Sequence, residues 1–233
     1  MQQTLKITNV LSDPTRFSIY QYITKNHKDV TVQEIAQKFN IHPNVARLHL
    51  SKLEDVDMLS SENKKTGRGG RPSRVYRLSE KVIQLNFPFR DYHLLAKIAI
   101  DSMVKLGKPA EDALYETGKR YGYELMENEL TKKGLSRDQL TFDEKFEILK
   151  DTCTMLGFYP DVYVQETGKK IHLQVFNCPF HEIAKDYTDQ TCNMHIAFIR
   201  GMLESLYEEY ELVNTQNIFA GCETCAYRIS VEE

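Results

Sequence analysis

Two helical patterns joined by a short turn, in residues 31–55, constrain the fold more than any other part of this sequence. Thr31 and Glu34 have the spacing of a capping box, which starts the first helix. Asn40 can end that helix in a left-handed conformation, and Pro43 suits the first turn of the next one. Two short helices separated by about four residues predict a helix-turn-helix.

The second predicted helix has an apolar face and a polar face. Its apolar face consists of Ala46, His49, Leu50, Leu53 and Val56. Its opposite face presents Asn44, Arg47, Ser51 and Lys52. Because helical periodicity occurs in any small helical domain, the pattern indicates a helix-turn-helix only in combination with a hairpin on its C-terminal side.

A glycine-rich, arginine-rich stretch, "GRGGRPSRVYRL", occupies residues 67–78. Leu59–Asn63 and Val75–Leu78 predict two strands, so the stretch forms the tip of a hairpin, or wing. Residues 61–77 contain a single acid, Glu62, and these basic residues: Lys64, Lys65, Arg68, Arg71, Arg74 and Arg77. Such cations neutralise phosphates and release counterions, and glycines allow the backbone to approach a groove. The wing therefore favours nucleic-acid binding over a solvated loop without a partner.

The first part of the chain resembles ArsR-type winged-helix regulators. "LSDPTRFSIYQYI" is similar to their opening helix, and "HPNVARLHLSKLEDVDML" with the wing resembles bacterial ArsR/DeoR-like repressors such as the SufR regulators of iron–sulfur cluster assembly genes. The resemblance implies that Asn44, Arg47 and Ser51 meet base edges or nearby phosphates. It places Lys52 and the wing cations on the DNA backbone. Arg47 is the residue expected to read a base directly, because arginine pairs in bidentate fashion with guanine.

Charge is distributed unevenly along the chain. Residues 1–80 contain 13 lysines and arginines against 8 acidic residues, whereas the remainder contains 17 against 25. This asymmetry indicates that only the first part meets a polyanion. We therefore divide the chain into a winged helix-turn-helix at 1–80, a linker at 81–90, and a second domain at 91–233.

The second domain is expected to be helical with a β-hairpin, so the whole chain is predicted to be α+β and mostly helical. Three long helices are predicted between Asp91 and Leu156. The first has an apolar stripe, Leu95, Ile98, Ala99 and Met103, which fits core burial or, if exposed, a dimer seam. Alternation in "DVYVQETGKKIHLQVF" predicts a hairpin with its turn at 166–169, and "FAGCETCAYRISVEE" predicts a final strand.

Four of the five cysteines lie in the last 56 residues: Cys178, Cys192, Cys222 and Cys225. Four thiolates, with Cys222 and Cys225 in a C-x-x-C turn, suit zinc or an iron–sulfur cluster, and spacing does not separate the two. Cys192 is expected in the first turn of a helix, where the dipole favours the thiolate. Cys153 lies among apolar neighbours and is expected in the core. Thiols that are buried and bind nothing are the remaining alternative.

The cysteine segments themselves resemble the C-terminal domain of SufR-like regulators, which carry a 4Fe–4S cluster. The matching segments are "NCPFHEIA", "CNMHIAFIRGML" and "GCETCAYRI". The resemblance implies ligation by Cys178, Cys192 and one or both of Cys222 and Cys225. His195, one turn after Cys192, is a reserve ligand.

We therefore expect a cytoplasmic, homodimeric repressor that binds an inverted-repeat DNA operator under the control of a 4Fe–4S cluster. No apolar run is long enough to span a membrane, no secretory signal is visible, and no nucleophile–base motif indicates an enzyme. Three alternatives stay open. They are an ArsR-type zinc or metal-ion sensor, a small-molecule-binding domain fused to a winged helix, and a thiol–disulfide switch at Cys222 and Cys225.

Overall fold

The computed structural model describes residues 2–26, 28–64, 73–85, 87–165 and 170–232. The chain divides into two compact units, residues 1–90 and 91–233. Helices predominate in the described residues, and all the paired strands among them run antiparallel. The predicted α+β, mostly helical class is therefore confirmed.

The first unit contains the predicted pair of short helices. Its helices are α1 (Gln2–Leu11), α2 (Pro14–Asn26), α3 (Val32–Phe39) and α4 (Pro43–Glu54). The capping box is confirmed, since Glu34 N donates to Thr31 Oγ1 and Glu34 Oε2 accepts from Thr31 N. Asn40 ends α3 with φ at 51°, a left-handed conformation that asparagine tolerates. These local signals determine where α3 ends and α4 begins.

A small antiparallel sheet completes the first unit. Its strands are β1 (Val30–Thr31), β2 (Leu59–Lys64) and β3 (Ser73–Leu78), in the order β1-β3-β2. Leu59 pairs with Leu78 and Lys64 with Ser73, which confirms the predicted hairpin with slightly longer strands. The wing tip, residues 65–72, lies outside the described residues. The core beneath the sheet includes Ile19, Ile23, Ile35, Leu50, Leu53 and Tyr76.

The second unit begins with long helices and ends in a mixture of strands and helices. Its helices are α5 (Tyr92–Leu106), α6 (Lys108–Lys133), α7 (Phe142–Met155), α8 (His181–Ala184) and α9 (Thr188–Leu206). None of the α5 residues is buried, so core burial of its apolar stripe is wrong. Asp91 caps α5 as predicted, accepting from Leu94 N at 2.8 Å.

A four-stranded antiparallel sheet packs in the second unit, in the order β4-β5-β7-β6. Its strands are β4 (Pro160–Val164), β5 (Lys170–Val175), β6 (Glu209–Gln216) and β7 (Cys225–Glu232). The β4–β5 pair and the final strand are as predicted, while the turn at 166–169 lies outside the described residues. The sequence pattern did not predict β6, an edge strand in which Leu212 is the one buried residue. Too few apolar side chains alternate there to reveal a strand.

The backbones of α6 and α9 are in direct contact through glycines. A Cβ atom placed on Gly122 would lie 1.9 Å from the carbonyl oxygen of Phe198, and one on Gly201 would lie 1.9 Å from that of Lys119. Gly118 has a similar close approach to Met194. No side chain fits between the helices, so the glycines determine where α9 and the residues it carries lie on α6.

Candidate functional site

The outward face of α4 is the first candidate site. Ala46, His49, Leu50 and Leu53 are buried, which confirms the predicted inner face. Asn44, Arg47 and Lys52 are exposed and Ser51 is half-buried on the opposite side. His42 caps the helix, its Nδ1 accepting from Asn44 N at 3.2 Å. The four residues predicted to meet DNA therefore share one accessible surface of a rigid element.

Arg47 and Asn44 are joined to each other on this face. Arg47 Nη1 donates to Asn44 Oδ1 at 3.0 Å, across one turn of the helix. The contact holds the guanidinium over the N-terminal half of α4, the part of a recognition helix that reaches base edges. The arrangement can present a bidentate donor to a guanine.

Arg74 occupies a different place from the other predicted DNA contacts, because it joins the wing to α4. Its Nη2 donates to both carboxylate oxygens of Glu54, at 3.0 and 2.8 Å, and its Nε donates to Ser61 Oγ at 2.8 Å. Ser61 in turn donates to Glu54 Oε1 at 2.6 Å, and the guanidinium lies 5.3 Å above the ring of Tyr76. A guanidinium with these partners acts as a bracket between β2, β3 and the end of α4.

Of the other cations predicted to contact DNA, some are close to acidic residues and others lie outside the described residues. Lys64 is paired with Asp29, which raises the pKa of Lys64, and its Nζ also lies 3.5 Å from Glu62. Lys52 is 3.9 Å from Asp55, a weak surface pair. Lys65, Arg68 and Arg71 lie outside the described residues.

Sequence analysis omitted two apolar residues on the same outward face. Leu48 is 54% exposed and Val45 is 41% exposed, although both belong to the second helix of a helix-turn-helix. The signal that could have found them was their position on the helical wheel beside Asn44 and Ser51. Because apolar residues are ordinarily assigned to a core, their residue type alone does not indicate an exposed position.

The second candidate site is a small cavity where three cysteines from three elements meet. Cys178 follows β5, Cys192 lies on α9, and Cys225 is the first residue of β7; all three line the cavity. Cys225 pairs with Val175, the last residue of β5, and the strand register therefore brings Cys225 close to Cys178. Cys222 lies in the turn before β7 and does not line the cavity.

Burial keeps these thiols protonated in the absence of a cation. It raises the pKa of Cys178 to about 11 and also raises the pKa of Cys192 and of Cys225. The prediction that the helix dipole favours the Cys192 thiolate is wrong. Helix α9 begins at Thr188, and Cys192 lies beyond its first turn. Desolvation outweighs the lowering of the Cys192 pKa by a hydrogen bond from Asn217. A bound cation would displace the protons, as in other thiolate sites.

His195 is the fourth donor on the cavity wall. Its Nδ1 is 3.9 Å from Cys178 Sγ, and its Nε2 has no hydrogen-bond partner among the described residues. Burial between Phe158 and Phe180 lowers the pKa of His195 to about 4, so the imidazole is neutral at pH 7. The hydroxyl of Thr191, which also lines the cavity, is likewise unpaired among the described residues. Buried polar atoms without partners are uncommon, and these two belong to residues that line the same cavity as the three thiols.

The side chains on the cavity wall are of the types that bind a soft metal or an iron–sulfur cluster. In this structure, however, they are not arranged as a ligand shell. Three thiols and a neutral imidazole are ligands that zinc and iron–sulfur centres accept. In the part of the chain that the structure describes, no three His, Cys, Asp or Glu side chains are close enough to hold a metal ion. The cavity of about 10 Å³ has room for about one water molecule. Either occupant would require the thiols to turn or move apart. Cys153 is elsewhere, fully buried in the core as predicted, and burial raises its pKa to about 12.

Comparison with known proteins finds one family match, in the first unit. A helix-turn-helix domain family matches residues 11–62, which cover α2, α3, α4 and the start of the wing. A search of the curated proteins finds no match to the chain. Among the described helices, none is both long and apolar enough to cross a membrane.

Two solved structures are similar to this chain at low identity. A trafficking protein particle complex subunit 3 from Naegleria fowleri, covalently bound to palmitic acid, is 19% identical, with a TM-score of 0.45, and the match covers 60% of this chain and 94% of that one. The phenol-responsive sensory domain of the transcription activator PoxR, with phenol, is 14% identical, with a TM-score of 0.44, and the match covers 79% and 89%.

Proposed function

We propose that this chain is a homodimeric transcriptional repressor whose operator affinity depends on a 4Fe–4S cluster held by the second unit. The helix-turn-helix match supports a DNA-binding transcription regulator. The observation that supports the finer proposal is the meeting of Cys178, Cys192 and Cys225 at one cavity. These thiols lie in the unit other than the DNA-binding one, and their chemistry suits a sensing site.

The residues that would hold the cluster are Cys178, Cys192 and Cys225, with His195 as the fourth donor. The cavity lining supports Cys225 over Cys222 as the partner from the C-x-x-C turn. A bound cluster supplies sensitivity to oxidants and to iron supply. The chain's own contribution is to join the end of β5, α9 and the start of β7 through these side chains. Losing that connection alters DNA affinity only if the two conformations bind DNA differently.

Iron and acid-labile sulfide in anaerobically purified protein test the cluster. We expect both in the wild type and a visible absorption that is lost in Cys178→Ser, Cys192→Ser and Cys225→Ser. Cys222→Ser is the matched control and should keep the absorption. A colourless wild type without iron contradicts the cluster. An equal loss of absorption in Cys222→Ser contradicts the proposal that Cys225 is the one ligand from the C-x-x-C turn.

A zinc sensor is the second candidate, favoured by the small volume of the cavity. A single ion needs less displacement of the thiols than a cluster does, and three thiolates with one imidazole are a common zinc ligand set. Stoichiometric zinc in a colourless, DNA-binding preparation would support this candidate over the cluster. A thiol–disulfide switch predicts instead that Cys222→Ser abolishes the redox response.

The operator tests the DNA-binding half of the proposal. Selection from a random-sequence duplex library should yield an inverted repeat, because a two-fold symmetric dimer reads two half-sites. Arg47→Ala should weaken operator binding by about 5- to 150-fold, the range for one bidentate contact, and should affect random DNA far less. Arg120→Ala, in the second unit, is the control and should change neither affinity. Equal loss on both DNAs would contradict a base-reading role for Arg47.

A further inference from the structure

Leu48 lies at the centre of the outward face of α4. The buried residues Ala46, Leu50 and Leu53 define the inner side of the helix, and Leu48 lies opposite them. It follows Asn44 by four residues and precedes Ser51 by three, so the three side chains are neighbours on one strip of surface. A leucine in this position is 54% exposed, where a polar residue would be better solvated.

Val45 extends the apolar surface around Leu48. Long side chains on a helix lean toward its N-terminus, so Leu48 covers the turn that carries Val45 and Asn44. The two apolar residues therefore form one small patch, bordered by Arg47, which is tied to Asn44 at 3.0 Å. The patch lies in the N-terminal half of α4, which reaches base edges in helix-turn-helix complexes.

The charges around the patch suit DNA. Residues 43–53 contain Arg47 and Lys52 and no acidic residue. Glu54, the first acid after them, is held by Arg74 and Ser61. A cationic border around a patch of only two side chains complements a phosphate-lined groove, and it is too small for a stable protein interface.

We infer that Leu48, supported by Val45, contacts the C5 methyl group of a thymine in the major groove and thereby selects a thymine in each operator half-site. The methyl group of thymine is the apolar feature that the bases present in that groove. Asn44 and Arg47 would supply hydrogen bonds beside it. This inference rests on the proposed function, because it requires α4 to lie in the major groove.

Replacing thymine by deoxyuridine removes the methyl group and keeps the base pair. The operator is first selected with the full wild-type chain. Deoxyuridine then replaces thymine at one position at a time, and each replacement is made at the equivalent position of both half-sites. Binding is measured by fluorescence anisotropy. At one position we expect wild-type affinity to fall about fourfold for each methyl group removed, the effect of one buried methyl-sized group. Leu48→Ala should bind the unmodified operator more weakly and should show no further loss with uracil there.

Leu5→Ala is the matched control, because Leu5 is also an exposed leucine of the first unit and lies outside α4. Leu5→Ala should lose the same fold of operator affinity as the wild type when deoxyuridine replaces thymine. Arg47→Ala binds more weakly overall, but it should lose affinity by the same factor on this replacement. The inference is overturned if the wild type keeps its affinity with deoxyuridine at every position. It is also overturned if the replacement lowers the affinity of wild type and Leu48→Ala by the same factor. A selected operator without thymine, or a change of oligomeric state in Leu48→Ala without a uracil effect, also overturns it. If the wild type enriches no sequence from the library, the proposed function fails as well.

Discussion

At the scale of single residues, the cations of the first unit have different roles that their identities alone do not reveal. Both Arg74 and Arg47 are exposed, but Arg74 is held by the Glu54 carboxylate and Ser61, whereas Arg47 donates to the neutral side chain of Asn44. A guanidinium paired with a carboxylate contributes to folding, and one with only a neutral partner keeps its charge available to a ligand. The distinction separates a residue that supports the wing from a residue that is available to contact DNA.

Arg74→Ala is therefore expected to destabilise the first unit by about 1 kcal/mol, the upper end for a surface ion pair. The guanidinium bridges α4 to the hairpin, and its loss leaves Glu54 without its cation. Thermal unfolding followed by far-UV circular dichroism measures the change, with Lys28→Ala as a control. Unchanged stability together with a flatter dependence of DNA affinity on salt would instead assign Arg74 to phosphate contacts.

His49 introduces a pH dependence into the same unit. Burial lowers the pKa of His49 below its ordinary value of 6.5; Asp13 opposes this effect and Arg16 adds to it. Its Nδ1 has no hydrogen-bond partner among the described residues. A neutral buried imidazole stabilises the folded state fully above pH 6.5, and this stabilisation is lost as the pH falls below that value, because the unfolded chain takes up the proton first.

His49→Gln should remove this part of the pH profile. Glutamine does not titrate, so the difference in unfolding free energy between wild type and variant should shrink as the pH falls from 7 toward 5. Urea unfolding at a series of pH values, followed by circular dichroism, gives the difference. Parallel profiles for the two proteins would mean that His49 does not titrate differently in the folded and unfolded states.

At the scale of elements, the contact between α6 and α9 determines the cysteine cavity. Cys192 and His195 lie on α9, and the position of α9 depends on Gly122 and Gly201, where the two backbones touch. The other two cavity cysteines belong to the sheet side of the unit. A shift of α9 would therefore separate Cys192 and His195 from Cys178 and Cys225.

Gly122→Ala should destabilise the second unit by about 1–3 kcal/mol, because the added methyl group meets a backbone carbonyl that cannot rotate away. The new Cβ would lie 1.9 Å from the oxygen of Phe198. Thr117→Ala, at an exposed position of α6, is the control and should be nearly neutral. Iron or zinc content should fall with Gly122→Ala even in folded protein. Wild-type stability in this variant would contradict the close packing.

At the scale of the whole molecule, the apolar side of α5 is left exposed by the residues that the structure describes. Leu95 and Leu106 are 62% and 72% exposed, and Ile98 lies between them on the same face. Ala99 and Ser102, both small, lie near the middle of the stripe and would allow close approach of a second helix. We propose the same stripe of a second copy as its partner, because the inverted-repeat operator proposed above would require two copies of the DNA-binding unit.

Ile98→Glu is expected to convert the dimer to a monomer, since it places two charges against each other in an apolar seam. Sedimentation velocity measures the state, and affinity for the full inverted repeat should fall much more than affinity for a single half-site. Leu135→Glu, another exposed leucine of the second unit, should remain dimeric. A variant that stays dimeric would place the seam elsewhere.

Local signals in the sequence were enough for the helix-turn-helix and the hairpin of the first unit and for most elements of the second; strand β1 was not predicted. The capping box at Thr31, the left-handed Asn40 and the alternation in β5 each depend on residues close together in the chain. The mostly helical class and the helix-turn-helix followed from them. Cluster ligation and dimerisation stay predictions, since the resemblance suggested them and the cavity and α5 only support them.

Tertiary structure alone decided the features that depend on residues far apart in the chain. Strand β6 exists because β7 offers it an edge, and its own pattern is too polar to predict it. Three further features depend on which surfaces meet: the position of Cys225, rather than Cys222, on the cavity wall, the pairing of Arg74 with Glu54, and the exposure of α5. A sequence window records periodicity and caps, but the burial and partner of a side chain depend on neighbours that only folding brings together.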